Sequence, residues 1–202
     1  MSTISYVILF VILVALWLFT LRVLHKVQNQ AAFITIGMLG LFVLLIVFVR
    51  PVATQPLARL VAAIAGLIGR LTGTFTAYFK YGILFVSTPQ GSMTLQIDFE
   101  CSGIIETMVY VSVLAFFRVY TITERCIVGA LGFLYIIIFN ALRIVLICLA
   151  VHFGGEQAYY VAHTYLGRIF FYAATIVLYF YVFTRPQIIR MRVGSFSYDK
   201  KE

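Results

Sequence analysis

The sequence predicts an all-α integral membrane bundle of about five transmembrane helices, with one interfacial or re-entrant helix and a small extracytoplasmic β-hairpin before the third span. Three observations predict it. Of 202 residues, 63% are hydrophobic and 11% charged, and the mean hydropathy is +1.04. A soluble domain is about half apolar and a quarter charged, so this chain has too few polar residues to cover a water-facing surface. Apolar runs long enough to cross a bilayer, about 20 residues as helix, recur along the chain. Between the second and third of them the periodicity turns from helical to alternating.

The first span is expected at 4–24. Met1-Ser2-Thr3 carries no positive charge and the apolar run exceeds the hydrophobic region of a signal peptide, so this segment is expected to be retained. The second span is expected at 31–50. Residues 51–102 then form an outer segment. Within it, residues 57–70 are apolar, rich in Ala and Gly and bracketed by Arg59 and Arg70; too short to span, they read as an interfacial or re-entrant helix. Residues 81–87 are rich in β-formers. Met93, Leu95, Ile97 and Phe99 alternate with Thr94, Gln96, Asp98 and Glu100, which is strand periodicity. Thr88-Pro89-Gln90-Gly91 between the two runs supplies turn chemistry.

The third span, 103–118, is short and broken only by Glu106; the fourth and fifth are expected at 126–151 and 164–184. With no repeat or low-complexity linker, residues 1–202 form a single polytopic domain.

Basic loop residues set orientation. Arg22 and Lys26 follow the first span, Arg118 and Arg125 the third, and Arg185, Arg190, Arg192, Lys200 and Lys201 the last. Placing all of them in the cytoplasm puts the N-terminus outside and the C-terminus inside. Arg50, Arg59, Arg70 and Lys80 then lie outside, where an interfacial helix uses arginine to hold lipid phosphates. The net charge of +8 is positive-inside anchoring, not a nucleic-acid surface.

This topology brings three chemically capable groups to the outer leaflet, each on a different helix. Cys101 stands at the start of the third span, in Glu100-Cys101-Ser102-Gly103-Ile104. Arg143 lies about two turns below the outer end of the fourth, in Asn140-Ala141-Leu142-Arg143, with Asn140 on the same face at i,i+3. His163 opens the fifth, in His163-Thr164-Tyr165-Leu166-Gly167-Arg168. Each has a plainer reading. A free cysteine fills apolar space, and Cys126 and Cys148 read that way. Arginine within a span costs about 2.5–3.5 kcal/mol on insertion scales, and Glu106 is its simplest counter-charge. His152 rivals His163 from the same outer loop, while Arg168 snorkels or binds phosphate or a carboxylate. No metal-ligand spacing, phosphate-cradling loop or dinucleotide fingerprint stands in the chain, so neither metal nor cofactor is expected.

The cysteine, arginine and histidine motifs, in this order and membrane setting, resemble the exosortase/archaeosortase family over about the C-terminal half of the chain. Family members usually carry about eight spans; this chain resembles a compact form of the sort found in Gram-positive bacteria. The resemblance implies a multi-pass enzyme of the bacterial cell membrane, a cysteine transpeptidase with Cys, Arg and His in its active site on the extracytoplasmic side. It implies exported protein substrates that end in a short motif, a membrane helix and a basic tail. It also implies a lipid or surface-polymer acceptor.

On this reading Cys101 is the nucleophile and forms a thioester. The helix start favours its thiolate, Asp98 and Glu100 oppose it, and Arg143 is expected to outweigh them and to hold the oxyanion. His163 carries the proton, and Ser102 and Gly103 supply backbone N–H groups. The competing reading is a non-enzymatic scaffold or partner subunit of a surface-polymer export system, in which Cys101 is replaceable and the helix faces are not.

Overall fold

The structure is a computed structural model that describes residues 3–88 and 91–194. Pro89 and Gln90 of the expected turn, and Lys200 and Lys201 of the basic tail, lie outside the described residues.

Helix α1 (Thr3–Lys26) is apolar on all sides. After a tight turn at Gln28, whose φ is 57°, Asn29 caps helix α2 (Gln30–Leu44) by accepting the Ala32 N–H at 3.1 Å. A π turn (Leu45–Val49) then leads directly into helix α3 (Arg50–Thr72). The expected second span and the expected interfacial or re-entrant helix are therefore one rod of 43 residues, Gln30–Thr72. Pro51 and Pro56 both lie within this rod, although proline removes an N–H and crowds the preceding turn. The widened π bonding lies directly ahead of Pro51 and absorbs that defect without ending the helix.

Helix α3 ends at Gly73, in the left-handed conformation at φ 67°. Its buried stripe is Ala58, Val61, Ala62, Ala65, Gly66 and Gly69. These small residues, three or four apart, let a sheet lie close against the helix; a Cβ on Gly66 would come within 2.5 Å of the Ala77 Cβ. The sheet has three antiparallel strands, β1 (Phe75–Tyr78), β2 (Ile83–Thr88) and β3 (Gly91–Gln96), in the order β1-β2-β3. Phe75 pairs with Val86 and Leu84 with Leu95, and all four bury their side chains.

The expected hairpin thus gains a strand. Strand β1 has four residues, too few for alternation to register. Strand β3 also stops at Gln96, earlier than the alternation through Glu100 implied. After Ile97 N–H donates to the Gly82 carbonyl at 2.8 Å, Asp98 accepts the Cys101 N–H at 3.0 Å. That side chain-to-backbone bond closes a turn in place of the ladder.

Helix α4 (Ile104–Phe116) has 13 residues, about 20 Å at 1.5 Å per residue, shorter than the expected 103–118. Thr121 and Glu124 form a reciprocal capping box for helix α5 (Ile122–Val161), which satisfies two orphan donors. The single non-helical residue in these 40 is Gly155 (φ 66°, ψ −160°). There the helix turns back on itself, so the expected loop between the fourth and fifth spans is almost wholly helical. A π turn (Ala162–Leu166), helix α6 (Gly167–Tyr179), a further π turn (Phe180–Thr184) and helix α7 (Arg185–Gly194) complete the described chain.

Among the described residues, three helices qualify by length and apolarity to cross a membrane: Val7–Lys26, Gln30–Thr72 and Ile122–Ile189, the last folded at Gly155. One core lies between the sheet, α3 and the Gly155 half of α5. A second joins Tyr110 and Leu114 of α4 to Ile136, Phe171 and Leu178. Tyr110 is fully buried, and its hydroxyl donates to the Val128 carbonyl at 2.8 Å.

The Gly155 backbone lies in a region essentially confined to glycine, where a side chain costs about 1–3 kcal/mol. Gly155→Ala is expected to destabilise the protein by about that amount, read as a lowered unfolding midpoint in detergent.

Candidate active site

Cys101 lies in the turn between β3 and α4, three residues before Ile104. Gly103 is the residue that caps α4, at φ 75°. Cys101 was expected where the third span begins, and the left-handed Gly103 separates the thiol from the helix start at Ile104. The N–H of Ile104 is taken by Ser102 Oγ at 3.4 Å and that of Thr107 by the Gly103 carbonyl at 3.1 Å. Ser102 Oγ in turn donates to the Phe99 carbonyl at 2.9 Å. Ser102 and Gly103 therefore shape the turn.

Two residues of α5 hold this turn from below. Asn140, fully buried, donates from Nδ2 to the Cys101 carbonyl at 2.7 Å. Gly103 is pressed against the same side chain, since a Cβ there would sit 3.2 Å from Asn140 Nδ2. One helical turn on, Arg143 is 4% exposed. Its Nη1 donates to the Glu100 carbonyl at 3.4 Å and its Nη2 to Cys101 Sγ at 3.7 Å. The guanidinium lies over the Phe171 ring, 5.6 Å from its centre, a cation–π arrangement.

Glu106 was the expected counter-charge. Among the described residues, however, Arg143 makes no ion pair, and a carbonyl, a thiol and an aromatic face take that place. The ion pair at this site joins Arg168 to Glu100 at 3.5 Å, both half-exposed at the rim.

His163, in the π turn after α5, brings Nε2 to 3.1 Å from Cys101 Sγ. Tyr159, four residues earlier, stacks on the imidazole with ring centres 5.4 Å apart. The rival His152 is turned elsewhere, its Nδ1 bonded to the Ser87 carbonyl and its ring against Phe153. Thiol, guanidinium and imidazole thus meet around one sulfur. Arg168 and Asn140 join the same neighbourhood, while Cys126 is exposed elsewhere.

Cys148 is fully buried and lines, with Leu84, Leu95, Ile144 and Ile147, a narrow apolar slot that opens at Cys101 and His163. Tyr159 and Phe171 had not been singled out in the sequence. The i,i+4 spacing of Tyr159 to His163 was the available signal for the first; Phe171 had none.

Burial raises the Cys101 thiol to about 11, well above the ordinary cysteine range. Arg143 pulls the value down, and Asp98 pushes it up by its charge and by a hydrogen bond, with Glu100 adding to that. Arg143 acts on the thiol more strongly than either carboxylate contribution taken singly, and burial, the largest cause, is what keeps the value high in the resting protein. The thiol rests protonated at neutral pH, and a thiolate forms only as its proton is handed to a base, for which the imidazole is in position.

Alkylation of Cys101 by iodoacetamide should accordingly rise about tenfold per pH unit towards pH 11, because the thiolate is the reacting species. Arg143→Gln should displace that rise to higher pH and the near-isosteric Asp98→Asn to lower pH, followed by mass spectrometry of the Cys101 peptide.

A family model for transmembrane exosortases matches residues 1–180. No curated protein and no solved structure matches the chain. The match spans nearly the whole sequence, well beyond the C-terminal motifs, and on it the chain belongs to the transmembrane exosortase family.

Proposed function

We propose that this exosortase is a membrane-embedded cysteine transpeptidase and endopeptidase. It cleaves the C-terminal sorting signals of exported proteins and passes the shortened chain to a lipid or surface-polymer acceptor. The observation that carries this reading is the double engagement of one buried sulfur, by His163 Nε2 at 3.1 Å and by Arg143 Nη2 at 3.7 Å.

His163, as the tautomer with its proton on Nδ1, accepts the thiol proton at Nε2 while Sγ adds to the scissile carbonyl carbon. The carbonyl π electrons move to oxygen, and the guanidinium takes up that negative charge. Arg143 has a donor to spare, since its Nε is buried with no hydrogen-bond partner among the described residues. Collapse of the tetrahedral species re-forms the C=O and breaks the C–N bond. The departing amine takes the proton from His163 Nε2 and leaves with the membrane helix and basic tail, so that the substrate remains as a thioester on Cys101. An acceptor hydroxyl or amine, deprotonated by the same imidazole, displaces the sulfur; water in that role gives hydrolysis. Asn140 and the turn at residues 98–103 hold the nucleophile, and stacking on Tyr159 holds the base.

Orientation is part of the proposal: N-terminus outside, C-terminus in the cytoplasm and active site facing outward, supported by the distribution of basic residues. In intact cells a Gln157→Cys variant, placed beside the Gly155 turn, should react with a membrane-impermeant maleimide. Cys126 should react only after the cells are opened.

Cys101→Ala, Arg143→Ala and His163→Ala should each abolish the C-terminal processing of exported proteins while the protein stays in the membrane. For Arg143 the loss is expected to be about 100- to 1,000-fold, the usual worth of an oxyanion donor. Cys126→Ala and Cys148→Ala should retain processing. Full processing in Cys101→Ala would remove the nucleophile and leave the scaffold reading.

A further inference from the structure

Strand β3 is an edge strand, paired with β2 on one side only. Its ladder reveals which backbone groups face outward. Ile97 N–H bonds back to the Gly82 carbonyl at 2.8 Å, and the register sets Leu95 opposite Leu84, Met93 opposite Val86 and Gly91 opposite Thr88. Hydrogen-bonded positions of an antiparallel ladder recur at every second residue. Gly91, Met93 and Leu95 therefore direct N–H and C=O to β2, while Ser92, Thr94 and Gln96 direct theirs to the open edge. The far side of β2 agrees: Ser87, one residue out of phase with Val86, donates its N–H to the Thr74 carbonyl at 3.2 Å.

Opposite that open edge stands the helical segment that leaves the Gly155 turn, and the two walls keep step with each other. A cavity of about 560 Å³ lies between Gly91, Ser92 and Thr94 on the strand and Gly154, Glu156 and Gln157 on the helix. Further along, the slot at the thiol is lined by Gln96 and Ile97 at the end of the strand and by Tyr159 and His163 on the helix, over an apolar floor of Leu84, Leu95, Ile144, Ile147 and Cys148, with Cys101 beside it. The two cavities succeed each other along the six residues of β3, about 20 Å at roughly 3.3 Å per residue, the second of them at Cys101, and together they mark the course of a groove. Its upper end is the Gly155 turn, where His152 ties the helix to the Ser87 carbonyl; beyond its lower end the chain passes into apolar α4.

We propose that this groove takes the substrate as an added fourth strand, in a reading that rests on the transpeptidase function above. The occupant is the extended stretch of exported protein that precedes the scissile bond. It runs parallel to β3, from the Gly155 turn down to Cys101, and bonds through its main chain to Ser92, Thr94 and Gln96. The direction follows from the two ends of the groove. A chain whose membrane helix lies after the cleaved bond must leave at the thiol end, towards the bilayer, and enter at the turn. Main-chain bonding supplies affinity that depends little on sequence, and the faces of the groove read the alternate side chains.

The test uses the full chain expressed in its membrane. It reads the set of C-terminally shortened exported proteins that Cys101→Ala abolishes, quantified by mass spectrometry. Thr94→Pro removes one outward N–H without removing a bond to β2, and edge positions tolerate proline. It should lower processing about tenfold, the cost of leaving one substrate carbonyl unpaired, while Thr94→Ala, which keeps the N–H, processes as wild type. Gln157→Trp fills the groove from an exposed position on the opposite wall and should lower processing to a similar degree. An unchanged rate of Cys101 alkylation verifies that the thiol site is intact in each variant; if Thr94→Pro does not fold, Gln157→Trp decides alone. Wild-type processing in Gln157→Trp, with Cys101→Ala inactive, overturns the added strand and leaves the transpeptidase standing. An unchanged protein set in Cys101→Ala overturns both.

Discussion

A buried guanidinium that forms no ion pair among the described residues governs the organisation of this protein. Charge removed from water is costly unless hydrogen bonds satisfy it, and Arg143 is almost wholly enclosed. Its protons are directed at the Glu100 carbonyl and the Cys101 sulfur, and its face at Phe171. Those partners belong to the turn before α4 and to α6, so satisfying one side chain of α5 draws three parts of the chain to one point. Asn140 acts in the same sense one turn away. Its bond to the Cys101 carbonyl satisfies a backbone acceptor where no ladder or helix is present to do so.

The sheet gives that turn its position. Small residues along α3 allow β1 to lie close, β1 fixes β2, and β2 fixes β3, which ends where the Asp98 side chain captures the Cys101 N–H. Cys101 thus stands on a backbone defined on three sides: strand behind, helix ahead and Asn140 beneath. Its thiol is held protonated by burial, so the pocket separates two tasks. In the proposed reaction Arg143 favours negative charge at the reacting atoms, and the imidazole removes the proton. A resting thiol with a high proton affinity resists adventitious oxidation and alkylation, since both follow the thiolate.

Two backbone irregularities bring the imidazole to the sulfur. Gly155 folds the last long helix back along itself, and the π turn at Ala162–Leu166 changes the helical phase where His163 sits. Each extra residue in a turn rotates the following side chains by about 100°, and π turns recur at functional sites. The same irregularity carries Arg168 to the rim, where it pairs with Glu100 beside Cys101.

The membrane class, the approximate positions of the apolar helices and the strand ahead of Cys101 were legible in the sequence, because hydropathy and alternation are local properties of the chain. The gathering of Cys101, Arg143 and His163 was expected from the order and lengths of the apolar segments, and the structure has the other two within reach of the Cys101 sulfur. What escaped was decided by partners distant in sequence. Strand β1 exists because β2 and α3 flank it. Helix α2 runs on through Pro51 because a π turn absorbs the missing N–H. His163 lies at the thiol and His152 does not, because a strand carbonyl captures the latter. Arg143 forgoes Glu106 because the turn before α4 offers it a carbonyl and a sulfur. Composition and periodicity report what each segment requires of its surroundings; only packing determines which neighbour meets the requirement.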